Sequence, residues 1–529
     1  MSDYSARSLY STLESDRDSY LRRGRDCSRV TLPTLLPDEN ATSVTQFATP
    51  FQGLGARGVN HLAASLLMSL LPPNQPFFRL VLDEEAVRAL GGMDEYRTEI
   101  DQTLSSIERS VMQEIESKAI RPAVFEALKH LIVTGNALIH LGDNGIRVFH
   151  LNRYVIKRDP MGNVCNIVVK ETVAQDMLSE EAYAAIGGDE MNGNGSDTPV
   201  DLYTCIHREE NGEFMAFQEI KGVVLDSTRG KYKEGSLPWL ALRMNRVDGE
   251  SYGRGYVEEY LGDLRSLEGL TQAIVEGSAA AAKVLFLVNP NGMTRADVLA
   301  KSPNGAIREG NAADVTCVQL QKQADLGIAM QAISSIRERI NYAFLLAEST
   351  IRNAERVTAE EIRLTTAAVE RQLGGIYSIL SQEFQLPLVK RIMDLMQKAK
   401  RLPKVPKEFV KPVVITGVDA LGRGNDLVKL DAFLAGIAQT FGPQAISQYI
   451  NPKEYLSRRA AALGIDPQGL LKDEQSQAAE SNQAMAAGLV NKLGPAVINQ
   501  MGGAVREGVI SPNMAAAQQP PAGMMQPTQ

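Results

Sequence analysis

Gly249-Glu250-Ser251-Tyr252-Gly253 is the stretch of this sequence best fitted by type and spacing to do chemistry. In a G-x-S-x-G run the glycines let the serine sit on a sharp turn between a strand and a helix, with its hydroxyl free to attack an acyl carbon. The flanks suit that context, since Leu240 to Val247 reads as a strand and the residues from Arg254 onward read as a helix. The chemistry also needs a base. Hydrolases of this type place an acid and then a histidine after the serine, and here all five histidines (His61, His130, His140, His150 and His207) precede Ser251. A serine without a base stays a weak nucleophile. The glycines are therefore better read as a tight turn that lets the chain enter a helix, and a serine hydrolase built on Ser251 is the disfavoured rival.

Other motifs are weaker. Gly53-Leu54-Gly55-Ala56-Arg57-Gly58 has dinucleotide-binding spacing, but Ala48 to Gln52 is not the apolar strand that must feed such a turn. A helix start with small residues for close packing is the better account. No G-x-x-x-x-G-K-[ST] phosphate loop occurs. The histidines form no H-x-x-x-H pair, and Cys27, Cys165, Cys205 and Cys317 are scattered without a C-x-x-C, so neither a metal site nor a disulfide framework is indicated. The cysteines read as reduced, small apolar fillers. No catalytic residue, cofactor or metal ligand is expected.

The elements around the serine are more informative than the serine. Val257, Tyr260, Leu261, Leu264, Leu267, Leu270 and Ile274 recur at helical spacing, which predicts one amphipathic helix from Arg254 to Lys283, about 45 Å long at 1.5 Å per residue. Leu326, Met330, Ile333, Ile336, Ile340 and Phe344 predict a second helix. Between them lies an irregular, turn-rich insert beginning LFLVNPNGMT, so the outline is a helical hairpin with an elaborated tip.

Upstream, Ser5 to Arg29 and Gly58 to Leu71 read as helices, followed by the breaker Pro72 to Pro76. Ile100, Leu104, Ile107, Val111 and Ile115 form the apolar stripe of another helix, and Pro122 suits the first turn of a further one running toward Val133. Short β-rich runs then predict a meander: Ala137 to Leu141, Ile146 to His150, Tyr154 to Arg158, Val164 to Lys170, Asp201 to His207, Phe214 to Ile220 and, last, Leu240 to Val247. Asn211-Gly212 is a hairpin turn and Gly187 to Ser196 a loop. Downstream, Ala347 to Val357 is a polar loop. Thr358 and Glu361 suit a capping box at the start of a helix running toward Met396 with a kink near Pro387. Val413 to Thr416 reads as a strand, and Leu427 to Ala438, Pro443 to Ile450 and Pro452 to Leu463 as short helices. Pro512 to Gln529 has too little apolar bulk to pack by itself.

The chain resembles a known family at RVDGESYGRGYVEEYLGDLRSLEGL (Arg246 to Leu270), QLQKQAD (Gln319 to Asp325), ERVTAEEIR (Glu355 to Arg363) and LGGIYSILSQEFQLPLV (Leu373 to Val389). TPFQGLGARGVNHLA (Thr49 to Ala63) is a weaker likeness. These segments resemble the portal, or head-to-tail connector, proteins of short-tailed, autographivirus-type phages. The resemblance implies an α+β, mainly α subunit with the portal fold, about twelve copies of which form a ring. It further implies N-terminal helices and a β-rich wing at 1–253, stem helices at 254–283 and 326–346, a clip at 284–325 and a channel loop at 347–358. A long helix and wing return would follow at 359–420, then a crown and C-terminal tail at 421–529. The implied role is passage of double-stranded DNA at one capsid vertex, inward during packaging and outward during ejection, together with nucleation of head assembly. The implied partners are the major capsid and scaffolding proteins, terminase, tail adaptor and internal core proteins. By the same resemblance Arg352 and Arg356 are the basic residues of the channel loop, opposed by Glu348 and Glu355. Another structural head-tail protein is the remaining alternative.

Composition agrees with a folded chain. With 529 residues, 44% hydrophobic and 22% charged, there is length for a large core or several subdomains. Ala279 to Val288 is too short, and interrupted by Lys283, to cross a bilayer, and Met1 to Tyr20 lacks the apolar middle of a secretory signal, so synthesis in the host cytoplasm and no membrane contact are expected. The net charge of −8 gives no basic footprint for tight DNA binding. It suits the solubility of an ordinary protein, and in a ring it would also suit a conduit to which DNA adheres weakly.

Overall fold

The computed structural model describes residues 5–38, 41–42, 44–73, 76–82, 94–143, 145–186, 199–233, 235–281, 285–303, 305–318, 323–346, 372–402, 410–414 and 422–442, with positions 450, 455–456 and 459. The chain divides into two units, Met1–Asn425 and Asp426–Gln529. The first mixes helices and strands around one main apolar core.

The N-terminal helix, Ala6–Arg29, starts where Ser5 accepts a hydrogen bond from the Ser8 N–H. Its first turn is held by the buried Glu219 carboxylate, which accepts from Ser5 Oγ (2.8 Å) and the Ala6 N–H (2.5 Å), anion against helix N-terminus. Tyr10, Leu13, Arg17 and Leu21 form its buried stripe. Arg17 is 1% exposed and is tolerated there because Tyr10 OH (2.7 Å) and Asn152 O (2.9 Å) accept from its Nη1.

Helices Leu54–Leu70 and Ile120–Thr134 form the centre of the core, with Val59, Leu62, Leu66, Leu131 and Ile132 fully buried; each such side chain contributes about 1.5–3 kcal/mol. Helix Asp94–Ser117 packs there through Leu104, Ile107, Val111 and Ile115, the stripe its sequence period predicts.

Twelve strands are described. β1 (Phe78–Leu82) pairs antiparallel with β12 (Val410–Val414). β2 (Asn136–Gly142), β3 (Gly145–Phe149) and β9 (Trp239–Arg243) form a three-stranded sheet in the order β3-β2-β9. β4 (Tyr154–Arg158), β5 (Val164–Val173), β6 (Val200–Arg208), β7 (Phe214–Ile220) and β8 (Val223–Tyr232) form the meander. The expected single meander is thus two sheets, because β2 turns its buried face onto the helical core and takes β9 as partner. β8 carries too little apolar alternation to be legible, being an edge strand with Thr228, Arg229 and Lys231, whereas β1 is a short apolar run just after the Pro72 to Pro76 breaker. The expected strand Leu240 to Val247 stops at Arg243, where Asn245 turns to bridge Arg254.

The helix expected from Arg254 to Lys283 is two pieces, Tyr256–Glu259 and Leu261–Ala281. Tyr260 breaks it at φ −108°, ψ 11°, its N–H reaching back to Val257 O. The cause is aromatic packing: Tyr256, Tyr260 and Phe344 have centroids 5.2 to 6.0 Å apart, and Tyr256 OH donates to Ala343 O at 2.8 Å. The second helix, Gln323–Ala343, runs antiparallel to Leu261–Ala281, as the Arg339 Nη2 to Asp263 Oδ1 bond of 2.7 Å between opposite ends requires. Between these helices β10 (Leu285–Val288) and β11 (Val315–Val318) pair as a two-stranded ribbon, with a short helix at Ala296–Ala300. Further on, the chain is helical over 372–380, widens into a π turn at Ser381–Gln385 and continues as Leu386–Lys398. The wide turn sits just before Pro387, which has no N–H for the ladder and whose ring crowds the preceding turn.

In the second unit Asp431, carried on the helix Gly422–Phe441 that begins before the unit boundary, accepts from Tyr455 OH at 2.8 Å and pairs with Arg459 at 3.4 Å.

Candidate functional site

The serine motif lies in a packed corner. Gly249 takes a left-handed φ of 76°, which a glycine supplies without strain. A Cβ on Gly253 would stand 2.6 Å from Gly135 O, and one on Gly255 would stand 2.5 Å from Val133 O. Asn136 fastens the crossing from both sides: its Oδ1 accepts from the Gly253 N–H at 2.7 Å and its Nδ2 donates to Gly253 O at 2.9 Å. These glycines allow two backbones to touch.

Ser251 is neither an elbow nucleophile nor a helix cap. It lies well past the end of β9, the following helix is capped by Gly255, and Ser251 Oγ accepts from the Arg158 N–H at 3.3 Å. The histidines serve packing. His130 faces His150 at 6.3 Å between centroids, His140 lies 4.2 Å from Trp239, His207 lies 6.1 Å from Phe217, and His61 bonds to the backbone of Leu345. Burial pushes His130 down to about 3 and His150 down to about 4, so both are neutral near pH 7. The dinucleotide-like run opens the helix Leu54–Leu70, where a Cβ on Gly55 would meet Val30 O at 2.5 Å and one on Gly58 would meet the Phe344 ring at 2.7 Å. Cys27 and Cys205 are buried fillers whose thiols burial pushes up to about 12, whereas Cys317 is exposed on β11, against the expectation.

Charged groups lock the corner. Arg243, 2% exposed, donates to Glu383 from its backbone N–H and Nε, both at 3.1 Å, and from Nη2 at 2.5 Å. Glu383 belongs to the π turn, so this pair ties β9 to the helices flanking that turn. Arg254 forks to Glu250 at 2.6 Å and to Glu258 at 3.2 Å, and the bond from Arg254 holds the Glu250 carboxyl below its usual range. Sequence spacing gave no signal for Glu383, which is 140 positions from Arg243. A signal did exist for Arg17, which falls in step with Tyr10, Leu13 and Leu21.

The helix pair and ribbon contrast with that corner. Phe286 is 60% exposed, Met293 88% and Ile307 98%, while Ile328, Met330 and Tyr342 stand out from the second helix. Arg352 and Arg356, the channel-loop residues expected from the resemblance, lie outside the described residues, as do Thr358 and Glu361.

Backbone-on-backbone contact at the former serine motif, together with apolar surface on a helical hairpin, defines a structural subunit with faces for other chains. The comparisons with known proteins are of the same kind. The family model for the bacteriophage head to tail connecting protein matches residues 4–471. The chain is 41% identical over 496 residues to the portal protein of Enterobacteria phage T3, covering 92% of each chain. It is 39% identical over 520 residues to the portal protein of Escherichia phage T7, covering 97% of this chain and 96% of the other. The portal protein of Enterobacteria phage SP6 is 30% identical over 506 residues, 93% of this chain and 96% of the relative. The chain belongs to the family of bacteriophage head to tail connecting proteins.

Proposed function

We propose that about twelve copies of this chain close into a ring at one capsid vertex and form the channel through which double-stranded DNA is packaged and later ejected. The observation that carries this is the antiparallel helix pair whose apolar faces are only half used within one chain: Ile336 and Ile340 are buried, while Ile328 is 70% and Tyr342 75% exposed. Such surface on a soluble chain marks contact with another protein. The helix pair is the stem, and the ribbon with its exposed Phe286, Met293 and Ile307 is the clip, docking terminase during packaging and tail adaptor afterwards. Major capsid, scaffolding and internal core proteins would meet other faces of the ring.

Mass photometry of the purified chain tests the assembly. Closed rings of about twelve chains of 57.6 kDa weigh about 690 kDa. A stable monomer at micromolar concentration, with no ring in virions, defeats the reading. Within the channel, Arg352 and Arg356 are proposed to touch phosphate weakly and many times over, since strong adhesion would stall translocation. Replacing both by alanine should leave rings intact and increase loss of packaged DNA in a salt-dependent way. Normal retention across a salt series would assign those arginines to ordinary surface.

A further inference from the structure

Beside the helix pair lies a cavity of about 490 Å³, floored by Leu267, Ile274, Met330 and Ile333 and rimmed by Arg57 and Arg337. Met330 is 58% exposed, and both arginines are exposed without an ion pair among the described residues. An apolar floor between two unpaired guanidinium groups fits an occupant that brings apolar side chains and a carboxylate together.

The same helix carries such a set on another side. Ile328, Glu338 and Tyr342 recur at helical spacing, and at 100° per residue they point roughly 140° round the axis from Met330, Ile333 and Arg337. Ile328 and Tyr342 are 70% and 75% exposed, and Glu338 is exposed with no ion pair among the described residues. The core stripe of Ile336 and Ile340 takes the remaining side. Each copy thus presents a groove on one side and matching projections on the other, the arrangement of a head-to-tail interface that repeats in one sense and closes by rotation.

We propose that Ile328, Glu338 and Tyr342 of one copy seat in the groove of the next. The inference rests on the ring reading with the helices running near the ring axis, because rotation then brings residues of similar height together. Ile328 meets the Met330 end of the groove, and Glu338 pairs with Arg337. Tyr342 reaches Arg57, which lies at the other end because its neighbour Gly58 packs on Phe344.

The test uses the full chain. Arg337→Glu or Glu338→Arg alone should cut ring yield about tenfold by setting like charges against each other, and the two together should restore it to within about twofold. In a Cys317→Ser background, copies with Ile328→Cys mixed with copies with Met330→Cys should give covalent dimers on oxidation, and neither alone should. Rings of normal yield with no such dimers and no effect of charge reversal overturn this interface and leave the ring standing. Absence of rings from the unaltered chain removes the ring reading and the interface with it. Dimers formed by Ile328→Cys copies alone would show a two-fold face in place of the groove, and protection of Arg337 from chemical modification only when duplex DNA is present would assign the groove to nucleic acid; each overturns the proposal.

Discussion

At Gly253 the chain satisfies its own groups, whereas the insert between the paired helices leaves its apolar side chains in water. In the corner, Gly253 N–H and C=O are both taken by Asn136, and Arg243 has a carboxylate beside it. In the insert, Met293 and Ile307 are 88% and 98% exposed. The corner is complete in one chain, and its polar groups and backbone contacts set stability. The insert and the outer faces of the helices leave apolar side chains exposed, and on the proposed ring reading their substitutions should act on association. That separation is open to attack from both sides.

The largest loss is expected from Glu383→Ala. It strands the buried Arg243 guanidinium, and breaking such a pair by removing one partner costs about 3–5 kcal/mol. A large fall in the thermal midpoint of the isolated chain is the expected outcome; an unchanged midpoint would mean that the corner is not held by this pair.

Glycine substitutions sharpen the contrast within a short stretch of sequence. Gly255→Ala sets a methyl 2.5 Å from Val133 O, a backbone atom that cannot rotate away, and should cost about 3 kcal/mol. Gly262→Ala and Gly269→Ala have nothing within 4 Å and should be neutral or stabilising by up to about 1 kcal/mol through helix propensity. Equal effects at all three positions, read by chemical denaturation, would break the distinction.

Acid should reach the corner through its histidines. The folded chain holds His130 at about 3, while the unfolded chain holds histidine near 6.5, so below that value the unfolded state binds the extra proton. The contribution is complete above about pH 6.5 and declines by about 1.4 kcal/mol for each pH unit below it, to roughly 3 kcal/mol lost at pH 4. Hydrogen exchange should show protection falling over 120–158 before it changes over 285–318. His130→Gln should flatten the decline, and a decline of unaltered slope in that variant would assign the acid sensitivity elsewhere.

Much of this fold is legible in the sequence where periodicity is local. Ile100 through Ile115 state one helix, Asn211-Gly212 states a hairpin, and Ile333 through Phe344 state the second helix of the pair. What is illegible is long range. β1 pairs with β12 more than three hundred residues away, and Gly253 and Gly255 touch carbonyls from 133 and 135, so no window of sequence contains both partners. The break at Tyr260 is hidden because tyrosine fits the apolar period, and the distant Phe344 packs on both Tyr256 and Tyr260 while Ala343 O accepts from Tyr256 OH. The serine motif misleads for the same reason: its glycines are explained by a strand end that sequence places far away.

The smallest loss of stability is expected at Ser251, where the corner and the enzyme reading make opposite claims. In the corner, Ser251→Ala removes one acceptor from the half-buried Arg158 N–H, a bond of 3.3 Å, while Arg158 keeps its side-chain bonds to Ser251 O, Gly162 O and Ala241 O. Those bonds go to backbone atoms that alanine retains, so the cost should stay near 1 kcal/mol, with ring assembly and infectivity unchanged. A hydrolase would instead lose its activity outright and would be labelled stoichiometrically by a serine-directed phosphonate before the substitution and not after it. Labelling of the purified chain, paired with plaque counts for the alanine variant, separates the two. Stoichiometric label together with lost ester hydrolysis would return Ser251 to catalysis, whereas an unlabelled serine and a near-normal plaque count place it among the contacts that hold the corner closed.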